Sequence, residues 1–325
     1  MRIARVEALH CDGGWRPWTF VRLETDDGLV GWGECSDSRS PWGIAGCVRD
    51  LADLLIGQDP RPVERLYWDM LRRVRQNLGG VSHKAIAGIE LALWDLKAKA
   101  LGVPVYELFG GPVRNRIRLY WSHCGTYRLA WPEPMQIPPL RTLDDVVAMG
   151  KEVVEQGYTA LKTNVFILDD HPRLHAPGFA RGDHFPELNA ERPVLAAIRD
   201  QLAAFREGAG PDVDILVDLN FNYKTEGFLK MARAMEPFDL FWVEIDSRDA
   251  EALRYIRQGT TIPLASGECL FGRRDYRPYF ERQAMDTRSS TCPGTGSPNR
   301  SRSPRWPMPT KSTSRRIIST AISAA

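Results

Sequence analysis

Hydrophobic and polar residues alternate over residues 1–33 and then recur at helical spacing over residues 44–103. The alternating segments RIARVEALHC and WTFVRLETDDGLVGWGEC predict strands, with a hairpin turn at Asp26-Asp27-Gly28. In the helical stretch Gly102 is expected to end a helix whose hydrophobic residues are spaced by three or four, namely Ile86, Ile89, Leu93, Leu96 and Ala100. We therefore predict an α+β domain over residues 1–112.

After residue 112 the pattern changes to alternating strands and helices. The strand candidates are Ile117–Trp121, Ala160–Val165, Ile215–Leu219, Leu240–Ile245 and Ile262–Ser266, and the helices between them are 143–156, 190–206, 225–236 and 249–257. Alternating β and α units predict a parallel sheet. We therefore assign residues 113–286 to a partial α/β barrel, with a polar insertion, HPRLHAPGFARGDHFPELN, after its second strand.

Residues 287–325 show no hydrophobic periodicity and are rich in Ser, Arg and Pro, which is typical of a disordered segment. This third segment carries seven Lys or Arg residues and no Asp or Glu. Residues 1–286 carry 36 basic and 41 acidic residues, a net charge of −5. The body of the protein is thus mildly acidic, and we expect no nucleic-acid partner.

Cysteine usage and hydropathy limit the class of protein. The cysteines are scattered, without a CxxC pair, at positions 11, 35, 47, 124, 269 and 292. This pattern favours reduced thiols in a cytoplasmic protein and argues against disulfides and a zinc site. No stretch approaches the roughly 18 apolar residues that span a membrane, and the N-terminus lacks a secretory signal. We expect neither membrane attachment nor export.

Three acidic residues follow apolar runs at predicted strand ends: Asp218 in ILVDLN, Glu244 in FWVEID and Glu268 in LASGEC. Their spacings of 26 and 24 residues fit the repeating unit of a (β/α)₈ barrel, where catalytic groups converge at the carboxyl ends of the strands. Three carboxylates with no nearby His or Cys ligand suit a hard, oxygen-preferring ion such as Mg²⁺ better than Zn²⁺. A single such acid is usually a helix cap or a solvated loop residue, but three together predict a Mg²⁺ site.

The chain resembles the mandelate racemase and acid-sugar dehydratase branch of the enolase superfamily over about residues 1–286. Its landmarks are LETDDGLVGWGE, AIAGIELALWDLKAKALGVPVYELFGG and the acids of VDLN, VEID and GE. The resemblance implies an α+β capping domain and a (β/α)₇β TIM-like barrel. It also implies that Mg²⁺ binds a substrate carboxylate while the proton alpha to it is removed, a use of Mg²⁺ that is general in this superfamily.

The residues that handle protons depart from the family pattern. Where the family often carries Lys-x-Lys, this chain has Lys162-Thr163-Asn164, so Lys162 matches the first lysine and Asn164 cannot act as a base. The resemblance implies that Lys162 is catalytic, where it contacts the substrate carboxylate or tunes its neighbour, and that Asn164 and Asn220 bind substrate. Relatives without the second lysine use a His–Asp pair from later strands.

The histidines of this chain offer few substitutes for that pair. His171, His175 and His184 lie in the insertion and could line the site, although a histidine in a polar loop is more often solvated. The remaining histidines, His10, His83 and His123, are expected to be structural.

Residues 287–325 can be explained as the family sequence in a shifted reading frame. Codons can be chosen for TRSSTCPGTGSPNRSRSP so that reading from the third base gives AIIDVPWNGLAESLKIA, and the following residues then give EMADAYEVNVAPHNFYGHL. The Asp of IIDV and the His of APHN are those that the family uses. We therefore expect a frameshift from about residue 287, in the genome or in the sequence record, and loss of the sixth to eighth strands. A genuine Ser/Arg/Pro-rich tail is the alternative.

For the chain in its restored frame we predict a Mg²⁺-dependent hydro-lyase that dehydrates a sugar acid through an enediolate, and that forms a homo-oligomer. As it stands the chain is expected to be impaired, because the His–Asp base is lost. The alternatives are a racemase, epimerase or cycloisomerase of the same superfamily, a non-catalytic pseudoenzyme, and a binding module that uses the Arg-rich tail.

Overall fold

A computed structural model of the chain describes residues 1–37, 39–179 and 189–288. The expectations for His184 and for residues 289–325 lie outside this part of the chain. No helix within the described ranges is long and apolar enough to cross a membrane.

The strands are β1 (Ile3–Asp12), β2 (Pro17–Thr25), β3 (Val30–Glu34), β4 (Ala160–Thr163), β5 (Phe166–Ile167), β6 (Arg173–Leu174), β7 (Asp214–Asp218), β8 (Trp242–Glu244), β9 (Leu264–Ser266) and β10 (Thr287–Arg288). The helices are α1 (Pro41–Ala52), α2 (Val63–Arg73), α3 (Gly80–Leu101), α4 (Thr126–Ala130), α5 (Pro132–Met135), α6 (Leu143–Glu155), α7 (Arg192–Ala209), α8 (Thr225–Met235), α9 (Ala250–Gln258) and α10 (Gly272–Glu281). Short 3₁₀ turns lie at Val105–Phe109, Pro177–Phe179 and Glu236–Phe238. Within the described residues, two compact units are residues 1–116 with 270–276, and residues 117–269 with 277–288.

The first unit is an antiparallel sheet of β1, β2 and β3 with helices α1 to α3. The predicted hairpin turn joins β2 to β3, and α3 ends at Leu101, before Gly102 in the left-handed region (φ 68°). Helix α3 lies so close to β3 that a Cβ on Gly33 would overlap the backbone oxygen of Gly88. The four predicted isoleucine and leucine positions of α3 are buried, whereas Ala100 is exposed because the helix faces solvent in its last turn.

The second unit is built on a parallel sheet in the order β10-β9-β8-β7-β4. The predicted helices appear as α6 to α9 with bounds shifted by at most three residues. Helix α6 begins with a capping box in which the Thr142 hydroxyl accepts from the Asp145 N–H and the Asp145 carboxylate accepts from the Thr142 N–H. Such reciprocal capping satisfies two backbone donors at the helix start.

Two regions of the second unit differ from the sequence prediction. Ile117–Trp121 is not a strand; Trp121 alone makes a parallel bridge, to Leu161, while Ile117 and Leu119 are exposed. Arg118 in this segment donates to the backbone oxygen of Thr159, so its side chain holds the segment in place of a strand ladder. At the other edge β10 pairs with β9, which extends the sheet two residues beyond 286.

One layer of the sheet's core locates the site. Ala160, Leu216, Trp242 and Ala265 come from four successive strands and form a buried hydrophobic cluster. Successive side chains of a strand point to opposite faces, so residues two positions further along share the face of this layer. On β4, β7 and β8 the residues two positions along are Lys162, Asp218 and Glu244.

Candidate metal and substrate site

The parallel sheet brings the predicted acidic residues together at the carboxyl ends of its strands. Asp218 ends β7 and Glu244 ends β8, and the two residues are partners in the strand register. Glu268 follows β9, the next strand of the sheet. Asp218 and Glu244 are buried, with 5% and 1% of their surface exposed. Their burial in a polar cluster at strand ends distinguishes them from solvated loop acids.

Lys162 lies between two of these carboxylates. Its Nζ donates to Glu244 Oε2 at 2.6 Å and to Asp218 Oδ2 at 3.1 Å. Burial opposes the charged form of this side chain, but the charges of Glu244 and Asp218 outweigh it and hold the pKa of Lys162 well above its ordinary value. Lys162 is therefore an ammonium that neutralises part of the acidic cluster.

The fit of a divalent cation depends on which carboxylate oxygens are not used by the protein. Among the described residues, no donor reaches the buried Glu244 Oε1. Burial raises the pKa of Glu268 to about 7, and the charges of Glu244 and Asp218 add to the effect. An excess of buried negative charge with an unused oxygen fits an oxygen-preferring cation such as Mg²⁺.

The predicted ligands are not gathered around a single point. Within the described residues, the three side chains with ligand atoms within 4.8 Å of one another are Asp246, Glu268 and Cys269. Asp218, Glu244 and Glu268 do not form such a group among these residues, and the ammonium of Lys162 lies between the first two carboxylates.

The side chains of two asparagines hold Asp218 in position. Asn220 is in the left-handed region (φ 48°), which lets both its backbone N–H and its Nδ2 donate to Asp218 Oδ1 at 2.9 Å. Asn164 Nδ2 donates to Asn220 Oδ1 and to the backbone oxygen of Asp218, and its Oδ1 accepts from Thr126 Oγ1. A strained asparagine held on both sides is typical of a functional site.

Asp246 is the site residue that the sequence prediction missed. It lies two positions after Glu244, is 4% exposed, and burial with the charges of Glu268, Glu244 and Asp218 raises its pKa well above the ordinary value. The signal was present in VEID, because the period of two along a strand places Asp246 on the face of Glu244.

The described histidines of the insertion lie in different surroundings. His171 is exposed, and its backbone N–H donates to Asp169. His175 stacks on Tyr223 with ring centroids 5.8 Å apart, and burial lowers the pKa of His175 to about 4. Elsewhere, His10 is bonded to Thr19 and His83 accepts from the Gly79 N–H, which agrees with structural roles.

Both parts of the chain match known protein families. Residues 14–110 match the family described as mandelate racemase/muconate lactonizing enzyme, N-terminal domain, and residues 145–302 match enolase C-terminal domain-like proteins. A D-galactonate dehydratase family member of Streptomyces bingchenggensis is 34% identical over 82% of this chain and 64% of its own length. The D-galactonate dehydratase of Ralstonia nicotianae is 33% identical, over 81% and 61%. The chain thus spans somewhat less than two thirds of these relatives.

Among solved structures, a Burkholderia xenovorans protein named as an L-alanine-DL-glutamate epimerase, bound to magnesium and fumarate, is similar with a TM-score of 0.86. It is 44% identical, and the match covers 91% of this chain and 73% of that protein.

Proposed function

Because the chain belongs to the mandelate racemase/muconate lactonizing enzyme family of the enolase superfamily, we propose that it carries the Mg²⁺ site of a sugar-acid dehydratase on Asp218, Glu244 and Glu268. The observation that supports this most directly is the buried cluster of carboxylates at adjacent parallel strand ends, with Lys162 bonded to two of them. Curated relatives that are D-galactonate dehydratases favour dehydration of a sugar acid.

Removal of a proton alpha to a carboxylate needs stabilisation of the second negative charge that develops on the enediolate. Mg²⁺, when bound, supplies a positive charge at the substrate carboxylate where that charge develops. In our proposal the Lys162 ammonium adds a second positive charge and contacts the same carboxylate. Asn220, held by Asn164, orients Asp218 and offers its amide to the substrate's hydroxyl groups.

We propose that the chain lacks the base that would accept the substrate's alpha proton. Lys162 is held in its charged form by two carboxylates, and Asn164 has no basic group. We propose that the His and Asp encoded in the shifted frame of residues 287–325 are the base and its orienting partner. The chain as printed then binds Mg²⁺ and a carboxylate with little or no turnover.

The decisive experiment compares the printed chain with a version whose frame is restored from codon 287. Isothermal titration calorimetry measures Mg²⁺ binding to both, with Asp218→Asn and Glu244→Gln as variants. NMR in D₂O then follows a panel of sugar acids with each protein. We expect Mg²⁺ binding by both proteins, loss of binding in both variants, and formation of a 2-keto-3-deoxy acid by the restored protein. Undiminished Mg²⁺ binding in both variants would contradict the proposal.

An epimerase is the second candidate, and the 44% identity to the Burkholderia protein favours it. Epimerisation needs a base on each face of the substrate carbon, whereas dehydration needs one base and a leaving hydroxyl. The same NMR experiment separates the two activities. Deuterium incorporation at the alpha carbon with inverted configuration and no loss of water would identify an epimerase.

A further inference from the structure

Gln201 is a glutamine at a core position of α7. Its side chain is 0% exposed, and it follows Ile198 by three residues and precedes Phe205 by four, both of which are buried. This spacing places the three residues on one face of the helix, where an apolar side chain would pack without hydrogen bonds. A buried amide costs free energy unless it is bonded, so the partners of this glutamine indicate its role.

The Gln201 side chain bonds to the backbone where the chain leaves β4. Its Nε2 donates to the backbone oxygen of Asn164 at 2.8 Å and to Thr163 Oγ1 at 3.0 Å, and its Oε1 accepts from the Phe166 N–H at 2.9 Å. Asn164 lies between β4 and β5 and belongs to neither strand. The Gln201 amide therefore takes the place of a neighbouring strand for the Asn164 carbonyl and the Phe166 N–H.

The backbone held by Gln201 carries the side chain that supports Asp218. Asn164 Oδ1 accepts from Thr126 Oγ1 at 2.9 Å, and Asn164 Nδ2 donates at 3.2 Å both to Asn220 Oδ1 and to the backbone oxygen of Asp218. Asn220 Nδ2 in turn donates to Asp218 Oδ1 at 2.9 Å. A continuous path of hydrogen bonds thus joins α7 to the predicted metal ligand.

A shift at Asn164 changes the surroundings of Asp218, because the bonds along this path are directional. Asn220 is in the left-handed region (φ 48°) and is bonded through its Oδ1 to Asn164. A residue in this region keeps its conformation only while the surrounding structure holds it. Groups that orient a metal ligand from behind typically change metal affinity by about 10–100-fold when they are removed.

We propose that Gln201 is a positioning residue of the candidate metal and substrate site: through Asn164 and Asn220 it fixes the orientation in which Asp218 meets the cation. This inference rests on the proposed function, since it takes Asp218 as a Mg²⁺ ligand. Gln201 acts through Asn164 and does not itself contact the cation.

Substitution of Gln201 by residues of similar length separates its hydrogen bonds from its volume. Gln201→Met keeps an unbranched side chain and removes all three bonds. In Gln201→Glu one carboxyl oxygen still accepts from the Phe166 N–H, and the protonated form, which burial favours, donates to the Asn164 oxygen. Isothermal titration calorimetry of the full chain with Mg²⁺ measures the result. We expect Gln201→Met to weaken Mg²⁺ binding by roughly tenfold or more and Gln201→Glu to weaken it less.

Leu202→Ala is the matched control for these variants. Leu202 is the next residue on α7 and is 0% exposed, so its truncation destabilises the core and leaves the Gln201 amide in place. It should lower the unfolding temperature and keep the Mg²⁺ affinity of the wild type. Equal weakening of Mg²⁺ binding by Leu202→Ala and Gln201→Met would mean that Gln201 only stabilises the fold, and would overturn the proposal.

The NMR signals of the Asn164 side-chain amide test the path without any metal. Asparagine is labelled with ¹⁵N, and Asn164→Ala assigns the signals in the metal-free protein. In Gln201→Met we expect the signals to shift and their hydrogen exchange to become roughly tenfold faster, because the amide is released from Asn220 and Asp218. In Leu202→Ala both should stay as in the wild type. Unchanged Asn164 signals in Gln201→Met would overturn the proposal at any Mg²⁺ affinity.

The two measurements separate this inference from the function on which it rests. A wild-type protein that binds no Mg²⁺ would overturn the proposed function, while release of Asn164 in Gln201→Met would still support the positioning of Asn164 by α7. Unchanged Mg²⁺ affinity in Gln201→Met, beside a wild type that binds Mg²⁺, would overturn the positioning role and leave the proposed function standing. If Gln201→Met yields no folded protein, Gln201→Glu is the test, and its Asn164 signals and Mg²⁺ affinity must both differ from those of the wild type.

Discussion

Lys162 is bonded to two buried carboxylates, and its removal leaves their charges close together without a cation. We predict that Lys162→Met lowers the free energy of unfolding of the metal-free protein by about 3–5 kcal/mol, because breaking a buried ion pair from one side leaves uncompensated charge. Mg²⁺ should then raise the unfolding temperature of the variant more than that of the wild type. Thermal unfolding with and without Mg²⁺ measures both effects.

Lys151→Met is the control for this experiment, because Lys151 is exposed on α6. It should change neither the unfolding temperature nor the Mg²⁺ response. If Lys162→Met and wild type gained equally from Mg²⁺, the lysine would not compete with the cation for the carboxylates.

Glu90 is a buried carboxyl group in α3, and burial raises its pKa to about 8 from an ordinary 4.5, against an opposing interaction with Trp94. The folded state therefore binds an extra proton between these values. The free energy of unfolding should fall as the pH rises from about 4.5 to about 8. We predict that Glu90→Gln, which stays neutral, removes this dependence and is more stable than wild type at pH 8, by on the order of 3 kcal/mol.

Urea unfolding of Glu90→Gln at several pH values tests this prediction. Glu107→Gln is the matched control, since Glu107 is exposed in the same unit. It should retain the wild-type pH dependence. A Glu90→Gln variant with an unchanged slope between pH 5 and pH 8 would refute the assignment of the dependence to Glu90.

The residues of the candidate site were predictable to different degrees. The acids Asp218, Glu244 and Glu268 follow apolar strands, so their common edge could be inferred from the alternation of strands and helices. The contact of Lys162 with both carboxylates could not, because it depends on the register of β4 against β7. Asp246 was not predicted, because it lies beyond the end of β8, where an acidic residue is usually solvated rather than buried.

At the scale of elements, α6 and α7 pack with glycine at their contact. A Cβ on Gly208 would overlap the backbone oxygen of Val147, and Gly150 lies opposite. We predict that Gly208→Ala destabilises the protein by about 1–3 kcal/mol, because the helices must separate. Gly46→Ala in α1 meets no atom within 4 Å and should be neutral or stabilising by up to about 1 kcal/mol.

Urea denaturation compares these two helical glycines directly. The test is whether Gly208→Ala lowers the free energy of unfolding while Gly46→Ala does not, since helix propensity alone would make both substitutions stabilising. Stabilisation by Gly208→Ala would mean that α6 and α7 do not approach as closely as the structure indicates.

The helices and the hairpin were predictable because local signals determine them. Helices α6 to α9 follow hydrophobic spacing and begin near Thr142, Glu191, Lys224 and Asp249. The resemblance to the enolase superfamily and the α/β fold with its N-terminal domain are confirmed by the family matches. The strand expected at Ile117–Trp121 was wrong, because alternation in sequence does not show whether a ladder partner is in reach or whether a side chain such as Arg118 takes its place.

At the scale of the whole molecule, the parallel sheet has two edges within the described residues. β10 has β9 as its only ladder partner there, and β4 at the other end is extended by the single bridge of Trp121. Unpaired strand edges favour association with other chains. We propose that the strands that continue the sheet beyond β10 are those encoded in the shifted frame.

We therefore predict that restoring the frame from codon 287 raises the urea midpoint of unfolding and yields a monodisperse homo-oligomer, whereas the printed chain aggregates on heating. The reason is that AIIDVPWNGLAESLKIA supplies an apolar strand and an amphipathic helix, while residues 287–325 as printed supply seven basic residues and no acid. Light scattering during thermal unfolding measures the difference, and a chain truncated after residue 288 shows whether the printed segment contributes. A printed chain that is monodisperse, with a sharp transition as high as that of the restored protein, would mean that residues 287–325 are a genuine part of the fold.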